Sequence, residues 1–246
     1  MNTSTNTAID QISTYASYAN NIIQFPAQYS NNTTTKKEYT KYKGNGTVQP
    51  IKDKEDIDRA KEYFHDNKEY RYSGTNIRNY CLFVLGINIG RRIGDILNIT
   101  IDDVIDNSKG KTKIKDCLII REHKTNKIAK IFLNDNVKEA IDEYLLTLDN
   151  YNSTDHLFKT RQSECMTRNQ AWKIMNDMGK ELELGNLGTH SMRKTFGYQI
   201  IQDHKDDNYA LATVSDLFNH SSEKITRKYV GIDDDVKKDI YMNLNL

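Results

Sequence analysis

The sequence predicts an α+β fold that is mostly helical, with one small β-hairpin. Three observations carry that expectation. From Pro50 onward, apolar residues recur at helical spacing over most of the chain. Only two short runs, Leu118–Arg121 and Ile128–Leu133, read as strands, and they flank the polar turn 122–127. The order is helices, hairpin, helices, with no internal repeat.

Residues 1–49 stand apart as a polar arm and linker ahead of a globular domain over 50–246. In the first 35 positions Asp10 is the only charge, and Asn, Ser and Thr supply 17 of them. Such composition rarely offsets its ordering entropy. Ile9, Ile12, Ala16, Ala19 and Ile23 nonetheless share one helical face, so this stretch reads either as a short docking helix or as a frayed arm. Lys36, Lys37, Lys41 and Lys43 then make a basic tether ending at Gly44-Asn45-Gly46.

In the domain, Asp53 can cap a helix carrying Ile57, Ala60 and Phe64. Ser73 or Thr75 can cap a longer one through Ile77, Tyr80, Cys81, Val84 and Leu85, and a third short helix turns Ile93, Ile96 and Leu97 inward. After the hairpin, helices are expected at 136–146, 168–182, 191–202, 209–218 and 222–230. Beyond Tyr229, Val236, Ile240, Tyr241, Leu244 and Leu246 mark an apolar tail, either a helix on its own core or a segment that packs on a neighbour.

Composition narrows the function classes. With 35 basic and 34 acidic residues the 246-residue chain has net charge +1, so a nucleic-acid surface must be a local patch. That patch is visible between Lys109 and Lys130. Lys109, Lys111, Lys113, Lys115, Arg121, Lys124, Lys127 and Lys130 face only Asp116 and Glu122, a local balance of +6 suited to phosphate contacts, or else to a solvated loop. No apolar run reaches the ~20 residues of a membrane span, and no secretory signal is evident. Three cysteines, Cys81, Cys117 and Cys165, without C-x-x-C spacing fit a reducing cytoplasm better than a disulfide framework or zinc site.

The chain lacks the P-loop, dinucleotide and H-E-x-x-H signatures. It carries instead a scattered set of cations and imidazoles at element ends, with a late tyrosine. Metal-free phosphoryl transfer needs groups that neutralise phosphate oxygens, protonate a leaving oxygen and attack. Arg92 lies in Gly90-Arg91-Arg92-Ile93-Gly94-Asp95, where its plain reading is an ion pair with Asp95. His190 and Arg193 share a helical face at i, i+3. His220 precedes Tyr229 by nine residues, and an unshifted phenol needs cationic neighbours to act as a nucleophile.

Together these residues resemble the tyrosine recombinase (phage integrase) family over roughly Pro50 to Ile240. Arg92, Lys124, His190, Arg193, His220 and Tyr229 match the family's ordered pattern of Arg, Lys, H-x-x-R, His or Trp, and Tyr. The strings Asn79-Tyr80-Cys81-Leu82-Phe83-Val84-Leu85-Gly86-Ile87-Asn88, Arg193-Lys194-Thr195-Phe196-Gly197-Tyr198 and Phe218-Asn219-His220-Ser221-Ser222 are similar to the small integrase-like recombinases of Gram-positive bacteria. Three positions depart from the pattern. Arg91 replaces an apolar residue and either contacts DNA or pairs with an acid, Asp95 replaces a common Glu, and Asn219 stands where many members have Gly. Asn also tolerates the left-handed conformation. The front of the chain is shorter than the ~100-residue core-binding domain of many members, an ordinary domain size, as in fimbrial-switch-type invertases.

The resemblance implies the tyrosine recombinase catalytic fold and site-specific cutting and rejoining of double-stranded DNA through a 3′-phosphotyrosyl intermediate on Tyr229. It implies that Arg92 and Arg193 clamp the phosphate, that Lys124 (with Lys127 in reserve) protonates the leaving oxygen, that His190 is the base or hydrogen-bond partner, and that His220 supports the phosphate. Arg91, Lys109, Lys111, Lys113, Lys127 and Lys130 are the expected DNA contacts. No metal and no ATP or other cofactor is implied. A homotetramer on DNA is, with an accessory DNA-bending or directionality protein as a further partner. A silent DNA-binding regulator of this fold and a type IB topoisomerase-like relaxing enzyme are the alternatives.

Overall fold

The computed structural model describes residues 47–65, 74–107 and 113–244. The helical face proposed over Ile9–Ile23, the basic tether, Ser73, Lys109 and Lys111 lie outside them.

Helix α1 (Lys54–His65) buries Ile57, Ala60 and Phe64, the face expected from spacing, and Ile57 N donates to Asp53 O at 3.2 Å where it begins. Helix α2 (Thr75–Ile89) is the centre of the domain. It buries Cys81, Leu82, Phe83, Val84 and Leu85 in unbroken sequence, because α1, a later helix α5 (Asp135–Leu146) and α7 (Thr189–Asp203) surround it. Gly74, not Thr75, holds its cap position.

Helix α3 (Ile93–Leu97) turns Ile93, Ile96 and Leu97 inward. A short helix α4 (Ile101–Val104) follows, closed by a Thr100–Asp103 capping box. Strands β1 (Ile105–Asp106) and β2 (Lys113–Ile114) pair antiparallel, as do β3 (Cys117–Arg121) and β4 (Ile128–Phe132). The larger hairpin buries Leu118, Ile120 and Ile131 on its inner face and leaves Ile119, Ile128 and Phe132 exposed on the other.

Asn134 caps α5 by accepting from Val137 N at 3.0 Å. Helix α6 (Arg168–Glu181) starts at a Thr167–Gln170 capping box. After α7 come α8 (Ala210–Leu217), α9 (Glu223–Val230) and α10 (Ile232–Asn243). Val214, Phe218 and Val230 form a second small core, with Phe196, Tyr198, Tyr229 and Ile232 packed on it. Helix α10 buries no residue. Val236, Ile240, Tyr241 and Met242 are exposed, so the tail is helical but does not fold its apolar side onto this core. Among the described residues no helix is long and apolar enough to cross a membrane.

Candidate active site

The first stretch that builds the site is the α2–α3 corner. Gly90 takes φ 59 there, and a Cβ on it would lie 2.2 Å from Phe196 Cδ1, so both backbone and packing demand glycine. Arg92 occupies the cap position of α3 with ψ 145. Its Nη1 lies 3.4 Å from Glu122 Oε2, so its ion pair is with Glu122. Asp95 is used otherwise: its Oδ1 accepts from His123 N at 3.0 Å and ties α3 to the hairpin turn.

That turn is the second stretch. Glu122 N donates to Lys127 O, Asn126 N donates to Glu122 O, and Asn126 takes φ 55. Lys124 is exposed at the tip and makes no hydrogen bond or ion pair among the described residues. Lys127 Nζ donates to Asn219 Oδ1 at 2.9 Å.

The third stretch joins the start of α7 to the corner after α8 and the last turn of α9. Arg193 is 3% exposed. Its Nη1 donates to Gly90 O at 2.5 Å and its Nη2 to Phe218 O at 3.0 Å, and it stacks 4.1 Å from the Phe218 ring centroid. One guanidinium thus bolts the α2–α3 corner to the α8–α9 corner. Asn219 turns that second corner at φ 52, the left-handed conformation anticipated for it. His220 Nδ1 lies 2.9 Å from Thr226 Oγ1, which orients the ring and leaves Nε2 available.

Tyr229 sits among these groups. Its Oη is 3.2 Å from His190 Nδ1, and its ring meets Phe218 and His220 edge to face with centroids 5.7 and 5.1 Å away. Burial pushes the phenol above its usual pKa, while the charge and hydrogen bond of Arg193 and the charge of Arg92 pull against that rise. Desolvation, then Arg193, Lys194 and Arg92, holds His190 below the ordinary imidazole value. Desolvation, Arg193 and Arg92 do the same to His220. Burial among cations brings Arg193 down to about 10. The arrangement therefore offers a neutral phenol, a neutral imidazole able to accept its proton, and two guanidinium groups nearby.

Arg91 does not lie on the basic surface. Its side chain is 7% exposed, and Nη1 donates to Glu122 Oε1 at 2.6 Å and to Leu217 O at 3.2 Å. Of its two expected roles, the structure has the acid pair, because a guanidinium this buried requires one. Lys113 is exposed on β2, 3.8 Å from Asp116. Lys130 lies on the outer face of β4, its Nζ 5.2 Å from the Phe132 ring centroid.

Two residues escaped the sequence reading. Glu122, 1% exposed, accepts from Arg91, from Thr125 Oγ1 at 2.6 Å and from Asn219 Nδ2 at 3.2 Å, besides its pair with Arg92. Burial raises its pKa, but the bonds from Thr125 and Arg91 and the charges of Arg91 and Arg92 outweigh it, so the carboxyl lies below its usual value. One carboxylate thereby ties all three stretches together. Its signal was faint: it is one of two acids in the basic segment. Lys194, 9% exposed, has its Nζ 5.1 Å from the Tyr229 ring centroid. Nothing in its i, i+1 position beside Arg193 foretold that.

The chain has clear relatives. The model of the phage integrase family matches residues 48–235. The probable integrase/recombinase YoeC of Bacillus subtilis strain 168 is 36% identical over 195 residues, 79% of this chain and 95% of that protein. The type 1 fimbriae regulatory protein FimE of Escherichia coli K12 is 26% identical over 166 residues, 65% of this chain and 77% of that one. Among solved structures, the XerH site-specific recombinase bound to palindromic difH substrate in a post-cleavage complex superposes with TM-score 0.57 at 19% identity. That match covers 75% of this chain and 50% of XerH, so the chain spans about half the length of that structure. At such identity the likeness concerns the fold, that of tyrosine recombinase catalytic domains.

Proposed function

The chain belongs to the phage integrase family of tyrosine recombinases, and we propose that it is a site-specific recombinase that cuts and rejoins DNA through Tyr229. The observation that carries this reading is the placement of Tyr229 Oη 3.2 Å from His190 Nδ1, beside buried Arg193. In the proposed step the phenol proton passes to His190, the phenolic oxygen bonds to phosphorus, and the bond to the 5′ oxygen breaks. Lys124 at the hairpin tip delivers the proton that the 5′ oxygen takes up. Lys127, held by Asn219, is less free to do so. Arg92 and Arg193 neutralise the non-bridging oxygens, and His220 adds a donor through Nε2. The 5′ hydroxyl of a partner strand then reverses the step, so bond energy is conserved in the phosphotyrosyl ester and this residue set calls on neither metal nor nucleotide.

The partner is double-stranded DNA at a defined site, contacted by Lys113, Lys127 and Lys130 and, outside the described residues, by Lys109 and Lys111. The integrase/recombinase name of YoeC and the difH substrate bound in the XerH complex support that choice. Residues 50–246 form the catalytic domain and 1–49 the arm. Exchange of two strands at two sites calls for a tetramer. The exposed apolar side of α10 supports subunit contact through the tail, and an accessory bending or directionality protein would set the direction in the cytoplasm.

The test is exchange between two sites. Duplexes tiled from DNA flanking the gene are first screened for binding, and the bound sequence is then placed twice on a supercoiled plasmid. Deletion or inversion between the copies is the expected result. Relaxation without exchange would point to a topoisomerase-like enzyme, and binding without either would point to a regulator.

A further inference from the structure

Lys194 is a buried cation that the steps above leave unused. It follows Arg193 on α7, is 9% exposed, and makes no hydrogen bond or ion pair with the described residues. A buried ammonium without a partner is costly and needs a compensating environment. What it has is the face of the Tyr229 ring, 5.1 Å from Nζ to centroid, with Phe218 and His220 set edge to face around the same ring. Asp234 of α10 acts on it through its charge.

We propose that Lys194 is a positioning residue for the Tyr229 reaction, its ammonium holding the phenol ring in place and favouring the negative charge that grows there as the proton leaves for His190. A cation over an aromatic face is attracted to the neutral ring and more strongly to a phenolate, so the contact tightens toward the transition state. The same charge repels a proton on His190 and keeps that imidazole able to accept. Other charged and titratable groups face this pair. Arg193 and Arg92 add positive charge, Arg91 is matched by Glu122, His220 titrates below the ordinary imidazole value, and Asp234 of α10 adds negative charge beside Lys194. The inference rests on Tyr229 being the nucleophile.

The experiment measures the rate of covalent adduct formation on a nicked suicide duplex across the imidazole pH range, for wild type, Lys194→Met and Lys194→Arg. Lys194→Met should lose about 10-fold at neutral pH, the scale of a desolvated cation–π contact. Its rising limb should move to higher pH, because His190 then holds its proton longer. Lys194→Arg should keep the limb where wild type has it. A uniform loss with the limb unmoved would make Lys194 a packing residue and overturn the proposal, as would a Met variant equal to wild type. Should Lys194→Met fail to fold, Lys194→Gln against Lys194→Arg decides on the same limb. A wild-type protein that forms no adduct overturns the nucleophile reading itself, and this inference with it.

Discussion

Replacing Glu122 by Gln keeps the side-chain volume but removes a charge that four groups share. Arg91 Nη1 at 2.6 Å loses its buried counter-charge, and Thr125 and Asn219 compete for one remaining oxygen. Breaking a buried pair by removing one partner costs about 3–5 kcal/mol, and the isosteric change belongs at the lower end, about 3 kcal/mol. For a chain of this size that lowers Tm by about 6–12 °C. Because the folded carboxyl titrates below its usual value, its contribution is present above the unfolded pKa of about 4.3 and is lost as pH falls through the lower folded value. The gap between wild type and Glu122→Gln should therefore narrow toward acid pH. Urea unfolding of wild type, Arg91→Met, Glu122→Gln and the double variant closes a cycle. The two residues should couple by at least about 1 kcal/mol. Additivity within about 0.5 kcal/mol would refute the claim that this carboxylate holds the corners together.

Arg193→Lys cannot reach both Gly90 O and Phe218 O while stacking on Phe218. Adduct formation should fall about 100-fold, and urea unfolding should show a loss of about 1–3 kcal/mol. His190 and His220 both have folded pKa values below the ordinary imidazole value, so each contributes stability present above the unfolded pKa of about 6.5 that is lost as pH falls through the lower folded value. Adduct formation should fall over the same range, and NMR titration of the two rings should place both midpoints under 6.5. Asn219→Ala and Asn219→Gly lose the same bonds to Glu122 and Lys127, but only Ala is strained at φ 52. The Ala variant should be less stable than the Gly variant by about 1 kcal/mol in thermal unfolding.

Local periodicity made much of the fold readable. Ile57, Ala60 and Phe64 announce α1, and the alternation of Leu118 and Ile120 announces the inner face of β3. The pair β1–β2 was missed because two-residue strands hold no alternation to read. Helix α4 was missed although its Thr100–Asp103 box was there to be seen. The tail showed its apolar spacing, but spacing alone does not say what covers it, and α10 leaves Val236 and Ile240 exposed.

The site divides in the same way. Arg92, His190, Arg193, His220 and Tyr229 were legible because their ordered spacing resembles a family, and the fold brings them around one phenol. Glu122 was not, because its partners Arg91 and Asn219 lie 31 and 97 positions away. For the same reason local sequence leaves Arg91 between a DNA contact and an acid pair, and the structure has the pair with Glu122. Lys194 escaped because a cation–π contact between α7 and α9 leaves no trace in local sequence.

The proposed activity requires that Tyr229 become covalently joined to DNA. The most direct measurement traps the protein on a nicked suicide duplex carrying its site, digests the adduct and maps the linked peptide by mass spectrometry, with Tyr229→Phe alongside. The expected result is a DNA 3′-phosphate on Tyr229, a free 5′ hydroxyl on the released strand, and no adduct from the variant, which should still bind. A linkage to any other residue, or an adduct that persists in Tyr229→Phe, would contradict it.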